Sequence, residues 1–553
     1  MKRLLPPRSL QWAALSGLLL TLALPPLNEF ILAWIGLIPL FAAIERSQGN
    51  GLIEGFTTGV IFNTGVLYWL AFNSGTHPVV ASITMMGAVL YVSTGWAIAS
   101  WLFFKIRRIL GFRAWLLAPF AWTAWEGLLA YIGELAFPWS ILALTQTRFS
   151  ALLQVMEFTG VFGVSFWVVS VNVLLFVSVM RWRNELCQVA TPDTTTEVLT
   201  LDTSTHWRWS VAGLVLIIAV PLLSQLNTVK FKNAKLPSAR VMVVQGNIPP
   251  AEKWTKGAKF SWAIYDSLTR AGVLQYNNEL NQFSKELPGK SGYSIKEYPG
   301  LPGHSILDLI VWPETAIPAH LMHQSVYADK LTELSDDLNC WILTGASDYC
   351  RTNYEGKPLN GAFLAGSGQG LVDRYAKVFL VPFGERVPFQ WIIPQLGKLN
   401  LGQAEFLPGL KQTLFEVSQN ESVFRFPAMI CYEAIFPWIS SDAVKRGADL
   451  LVTVSNDAWY GHSTEPEQIA ALSRFRCIET RRSMVRASNN GISQLIDHLG
   501  REIEKTERFI PVCAISELPL CQVKTFYVTY GDLFLAVVTA VYGIFLVYAA
   551  IRK

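Results

Sequence analysis

Three residues with complementary chemistry stand where apolar runs break. Glu314 follows "IVWP", Lys377 lies in "RYAKVFLVPFGE", and Cys431 ends the run in "FPAMICYEAIFP". A free thiol is only a few per cent thiolate at neutral pH, so it needs help to attack. A carboxylate within hydrogen-bond reach can take its proton as attack occurs. Attack on a carbonyl creates an oxyanion, which an ammonium and backbone N–H groups stabilise, by roughly 3–4 kcal/mol per donor. Burying a Glu together with a Lys costs less than burying either alone. None of the 7 histidines lies in these segments, which argues against a Cys–His dyad. Alone, Cys431 would read as a buried small hydrophobe; Glu314 and Lys377 give it a partner set.

The elements that must position these side chains lie between residues 239 and 520. "ARVMVVQGNIP" reads as a strand entering a turn, and "ILDLIVWPETAIP" as a strand that ends at Trp312-Pro313-Glu314. "WILTGASDY" is a further strand, and "GAFLAGSGQGLVDRYAKVFLVPFGERVP" reads as a hairpin with a Gly-rich turn, a second strand and a loop. "FRFPAMICYEAIFP" is a strand breaking at Cys431, "ADLLVTVSNDAWYG" a strand with a loop, and "PEQIAALSRFRCIETRRSMVRASNNGISQLID" a helix followed by a strand. Buried strands mixed with helices imply an α/β layered domain, and strand ends in such sheets are where ligands collect.

The rest of the chain is of another kind. Of 553 residues 51% are hydrophobic and 16% charged, with 20 Trp and 32 Phe, and the mean hydropathy is +0.32. A soluble chain would carry about 25% charged residues. The composition implies an integral membrane protein with room for one soluble domain. Apolar runs long enough to span a bilayer lie near 10–25, 28–45, 52–72, 79–104, 114–132, 152–180 and 209–228, with one more near 527–551. The basic N-terminus reads as a retained first helix rather than a cleaved signal. The expected organisation is a seven-helix transmembrane domain over 1–230, a soluble domain over 239–520 and a closing helix over 527–551, about eight transmembrane helices in all. The Pro-interrupted run 134–150 reads as a re-entrant or interfacial loop.

The clusters of Lys and Arg in the short loops alternate: Lys2, Arg3 and Arg8; Arg46; Lys105, Arg107, Arg108 and Arg113; Arg181 and Arg183; Arg552 and Lys553; the segments "PPLNE", "NSGTHP" and "GELAFPW" between them carry none. Positive loops stay inside, so both termini are expected in the cytoplasm and the soluble domain on the other side. "TPDTTTEVLTLDTST" reads as a disordered cytoplasmic loop. Glu54, Glu126 and Glu157 lie in or near apolar runs, either at helix ends or in functional positions. The net charge of +4 suggests no nucleic-acid partner, and 7 Cys without a C-x-x-C pair give neither a disulfide framework nor a zinc signature. Whether Cys513 and Cys521 bridge is left open. The apolar loop "FQWIIPQLGKLNLGQAEFLPG" (389–409) either packs on the soluble domain or forms a flap that admits a lipid chain.

"VWPETAIP", "YAKVFLVPFGERVP", "MICYEAIFP" and "VSNDAWYG" resemble the nitrilase superfamily. With the membrane spans and "QGNIPPAEKW", the whole chain resembles its membrane-integrated branch, the apolipoprotein N-acyltransferases. The resemblance implies a nitrilase-like αββα sandwich outside the cytoplasm, carried on an all-α polytopic membrane domain. It matches the family's base to Glu314, its lysine to Lys377 and its nucleophile to Cys431. It matches supporting residues to Glu385, Tyr432 and Glu433, and a lipid-handling tryptophan to Trp254. It implies no metal or other cofactor. The implied donor is a membrane phospholipid, typically phosphatidylethanolamine, whose acyl chain becomes a Cys thioester. The implied acceptor is the α-amino group of the S-diacylglyceryl-cysteine that begins an apolipoprotein. The implied setting is a bacterial inner membrane with the catalytic domain in the periplasm, and a monomer suffices for the chemistry. The residues alone also allow a membrane-anchored amidase acting on small amides, or a transporter or receptor with a non-catalytic binding domain.

Overall fold

A computed structural model describes residues 8–47, 49–190, 203–226, 228–232, 235–286, 307–349, 358–395, 405–419 and 422–552. Residues 191–202 of the Thr-rich segment, 287–303 of the polar stretch before Glu314 and 396–404 of the apolar loop lie outside them. The chain divides into two units, Met1–Ala71 with Ala81–Ala234 and Tyr530–Lys553, and Phe72–Val80 with Lys235–Thr529.

The strands of the second unit are β1 (Ser238–Gln245), β2 (Leu309–Val311), β3 (Ile317–His320), β4 (Trp341–Tyr349), β5 (Pro358–Gly366), β6 (Gly370–Ala376), β7 (Leu414–Gln419), β8 (Ser422–Ile430), β9 (Leu450–Ser455), β10 (Ser483–Ser488), β11 (Gln494–Ile496), β12 (Glu502–Lys505) and β13 (Val512–Pro519). They form two sheets, ordered β13-β1-β2-β4-β5-β6 with β3 beside β4, and β12-β11-β10-β9-β8-β7. Each sheet has a parallel centre, β1-β2-β4 in one and β8-β9-β10 in the other, flanked by antiparallel strands. Alternation along a strand sends neighbours to opposite faces. Val241 and Val243 of β1 thus enter the core between the sheets, with Leu343, Leu364, Phe426, Ile430, Val452 and Val485. Met242 and Val244 enter a second core, beneath Trp262, Tyr265, Leu331 and Leu334 of the helices Pro250–Glu286 and Ser325–Leu338. The helices Pro437–Lys445 and Glu465–Thr480 pack on the other sheet. The layers run helix, sheet, sheet, helix; the strand pattern implies only an α/β layered domain, and the sandwich is what the family resemblance implies.

The first unit is helical. Among the described residues, Leu52–Phe72, Pro78–Tyr131, Val161–Met180 and Leu533–Ile551 are long and apolar enough to cross a membrane. The run expected at 28–45 breaks into the helices Leu32–Ile35 and Ile38–Arg46. Buried Asn172 makes the break tolerable: it accepts from Leu37 N–H at 2.8 Å and donates to Ala33 C=O at 2.7 Å. The run expected from 152 becomes two single turns before the helix Val161–Ala190, because Gly160 leaves the helical region with φ 64°. Buried Glu126 accepts from Leu142 N–H at 2.8 Å, which fixes the short 3₁₀ turns inside 134–150. Gly55 and Gly59 face the helix Pro78–Leu110, where a Cβ on Gly55 would stand 2.5 Å from Trp96 C=O. Small residues permit this approach of backbones. Cys513 and Cys521 are both free thiols.

Candidate active site

The end of β2 carries Glu314. Trp312 N–H donates to Leu343 C=O at 2.8 Å, and its indole N–H donates to Thr269 at 3.0 Å, so the strand exit is anchored on both sides. The turn then lies flat on β4. A Cβ at Gly345 would stand 2.5 Å from Pro313 O and 2.6 Å from Glu314 Cα, so only glycine fits beneath it.

Lys377 follows β6 directly. Its N–H donates to Asn360 C=O of β5 at 2.8 Å, and its carbonyl accepts from Gly409 N–H at 2.7 Å. The chain beyond it forms a loop whose N–H groups turn onto two carboxylates. Val381 N–H donates to Glu385 Oε2 at 2.8 Å, while Val378 and Phe379 N–H donate to Glu433 Oε1 at 2.8 and 3.1 Å.

Cys431 leaves β8 with φ 52°, a left-handed conformation that costs a non-glycine residue free energy. Glu433 holds this turn. Its Oε2 accepts from Ile430 N–H at 2.8 Å and its Oε1 accepts from the Tyr375 hydroxyl at 2.6 Å. One fully buried carboxylate therefore ties the Cys431 turn to the strand and loop that carry Lys377. Tyr432 is buried and packs edge-on against Phe436, with 5.0 Å between ring centroids.

The polar centre is continuous. Asn360 Nδ2 donates to Glu314 Oε1 at 2.7 Å and to Glu385 Oε1 at 3.2 Å. Lys377 Nζ reaches both Glu385 oxygens, at 3.0 and 2.8 Å. Burial alone would discharge Lys377, but Glu385, Glu314 and Cys431 together hold its pKa above the usual lysine range. Burial pushes the Cys431 thiol well up; Glu314 adds to this and Lys377 opposes it. Cys431 therefore rests as a thiol, and any attack by its sulfur would require the proton to leave. Burial also raises Glu314, against the pull of Lys377, and this brings a carboxylate closer to the basicity a proton acceptor needs.

The structure thus gathers Glu314, Lys377, Glu385 and Cys431 into one electrostatic unit and sets Glu433 and Tyr432 in the turn beside it. Trp254 is 53% exposed, at the start of the helix Pro250–Glu286. Sequence reasoning missed Asn360, Tyr375 and Lys253. Lys253 is only 1% exposed, and its charge acts on Glu314. Beyond Cys431, Asp457 is buried against Arg486 and Ser488, both at 2.9 Å, and Glu465 is buried with its pKa driven well up by desolvation. Among the described residues no cluster of His, Cys, Asp and Glu could hold a metal ion.

Two family models match the chain: the apolipoprotein N-acyltransferase N-terminal domain over residues 16–174, and carbon–nitrogen hydrolase over residues 242–523. The apolipoprotein N-acyltransferase of Chlorobaculum tepidum is 31% identical, over 98% of this chain and 96% of the relative. That of Geobacter metallireducens is 30% identical, over 96% and 93%. That of Thermotoga maritima is 25% identical, over 97% and 93%. With its helical first part, its sandwich and these full-length matches, the chain belongs to the apolipoprotein N-acyltransferase family.

Proposed function

We propose that the protein transfers an acyl chain from a membrane phospholipid, through a Cys431 thioester, to the α-amino group of an S-diacylglyceryl-cysteine at the start of an apolipoprotein. The observation that carries this reading is the joining of Glu314, Asn360, Glu385 and Lys377 in one buried hydrogen-bonded set, of which Glu314 and Lys377 act by their charges on Cys431. Full-length similarity to named apolipoprotein N-acyltransferases supports the choice of substrates.

The reaction has two half-steps, in ping-pong order. Glu314 takes the Cys431 proton as sulfur bonds to the ester carbonyl carbon. Lys377 and backbone N–H groups stabilise the tetrahedral oxyanion. The C–O bond breaks, and the lysophospholipid leaves as an alcohol with the proton returned by Glu314. The apolipoprotein amine then attacks the thioester, Glu314 takes its proton, the C–S bond breaks, and the sulfur is reprotonated. Glu385 fixes Lys377, and Glu433 with Tyr432 shapes the nucleophile's turn. Trp254 is suited by its exposure to lipid contact, as are Phe389, Trp391, Ile392 and Ile393, exposed by 37%, 73%, 57% and 48%.

Both substrates are lipid-anchored, so an enzyme in the same bilayer meets them at high effective concentration. The setting we infer is a bacterial inner membrane, crossed by about eight helices, with the sandwich in the periplasm, both termini in the cytoplasm and a monomer as the working unit. Phosphatidylethanolamine is the donor of choice in this reading. The test is incubation of the full chain with a phospholipid labelled in its acyl chain. A hydroxylamine-sensitive protein adduct that disappears in Cys431→Ala is expected. Ammonia release from small amides without lipid turnover would favour an amidase, and no adduct under any condition would leave a binding protein; either result defeats the proposal.

A further inference from the structure

Lys253 is a buried cation that the mechanism above does not use. It lies one turn into the helix Pro250–Glu286, next to exposed Trp254, yet its own side chain turns inward and is 1% exposed. Its Nζ finds no hydrogen-bond partner among the described residues. A buried ammonium without a partner is costly, so something must favour its place.

The backbone before it is held firmly. Asn247 N–H donates to Asn489 C=O at 2.7 Å, and Asn489 Nδ2 donates to Ile248 C=O at 2.7 Å. Asn247 Nδ2 donates to Phe509 C=O at 2.7 Å, and Lys253 N–H to Pro249 C=O at 2.9 Å. This loop leaves the C-terminal end of β1, the parallel neighbour of β2, which carries Glu314. Parallel strands end at the same sheet edge, so the segments that carry Lys253 and Glu314 leave the sheet at one edge, and each residue feels the other's charge.

Onto Glu314 act Lys377 and Glu385 from the loop after β6, the amide of Asn360 from β5, and Lys253 from the helix. Cys431 and Tyr460 in turn feel Glu314. Lys377 is clamped by Glu385 through both oxygens. Glu314, Glu385 and Lys377 together carry one negative charge in excess, and Lys253 makes the sum zero. Lys253 is the cation of this group that no second carboxylate neutralises.

We propose that Lys253 is a positioning residue of the acyl-transfer site, whose unpaired ammonium keeps Glu314 ionised and ready to take the Cys431 proton. The inference rests on the Glu314–Cys431 reading given above. Burial pushes Lys253 down to about 8, so it is charged at neutral pH and discharges as pH rises through that value. A positive charge beside Glu314 lowers the pH at which its carboxylate forms, so losing the charge raises that pH.

The test measures the rate of acyl-adduct formation on the full chain against pH, in the wild type, Lys253→Met, Lys253→Gln and Lys253→Arg. Cys431→Ala serves as the control for the reading itself. For Met and Gln, the acid limb is expected to move up by about one pH unit, roughly a tenfold lower rate below the limb. The curves converge above about pH 8, where the wild-type lysine discharges. Arginine keeps the wild-type limb. An unmoved limb in a variant that melts like the wild type overturns the proposal. So does an equal loss at every pH, or a change confined to KM for phospholipid. An adduct that survives Cys431→Ala sinks the thioester reading instead, and the two failures are distinguishable.

Discussion

Glu433 offers the sharpest test of how the site is built, because one carboxylate accepts four hydrogen bonds. Oε1 takes the Tyr375 hydroxyl and the N–H groups of Val378 and Phe379, and Oε2 takes Ile430 N–H. Glu433→Ala leaves all four donors without it. A buried donor left unsatisfied costs about 1–3 kcal/mol, so the low end of the sum is about 4 kcal/mol. Val378 N–H can fall back on the Tyr375 oxygen, 3.3 Å away, which softens one of the four. Glu433→Gln is milder: its carbonyl can keep the threefold Oε1 position, while its NH₂ meets the Ile430 N–H donor to donor. Only one contact fails, at about 1–3 kcal/mol. The failing contact is the one that holds the strand exit just before Cys431. Glutamine should therefore cost modest stability but much activity, whereas alanine costs both. Thermal melting of the full chain gives the stability order, and the rate of acyl-adduct formation gives the activity. A fall of about 10–100-fold in that rate for Glu433→Gln is expected, since about 1.4 kcal/mol of misplacement is tenfold. Equal stability loss in the two variants, or wild-type adduct formation in Glu433→Gln, would refute the bridging role.

Removing the Glu385 charge while keeping its shape separates its two effects. Glu385 raises the pKa of Glu314, so Glu385→Gln should move the acid limb of adduct formation to lower pH. The same change unclamps Lys377 and should lower the plateau rate roughly tenfold or more; a limb that moves upward contradicts the geometry. Gly345→Ala forces a methyl to within 2.5 Å of Pro313 O, and should cost about 1–3 kcal/mol and displace Glu314. Its adduct rate should fall much more than that of a similar substitution at exposed Gly368, whose Cβ would meet nothing within 4 Å but whose φ is 67°. In the helical unit, Gly55→Ala should weaken the pairing with the helix Pro78–Leu110 and lower the melting midpoint of the full chain.

The parts of this molecule that were legible in the sequence are those with punctuation. The runs into Glu314 and Cys431 are short, apolar and bounded by turn residues, so β2 and β8 and their ends could be read directly. The edge strand β6 could be read too, from its Gly-rich hairpin, but the edge strands β7, β12 and β13 could not. β12 is exposed along its whole length, so no alternation marks it. The helix Pro250–Glu286 was missed because its first turns are polar and a glycine with φ 72° interrupts it. The breaks at Gly160 and at residues 36–37 escaped notice for the opposite reason. Hydropathy counts residues and is blind to backbone angles, and the partner that satisfies the second break, Asn172, is more than a hundred residues away. The same limit governs the site. Cys431, Lys377 and Glu314 announce themselves by type and place. Lys253 does not, because a lysine in the first turn of a polar helix reads as a solvated residue. The loop that leads to it is held by a knot between Asn247, Ile248, Asn489 and Phe509, which draws on residues some 240–260 positions apart. Residue type suggests which groups can do chemistry, but the pKa that each one works at is set by contacts of this range.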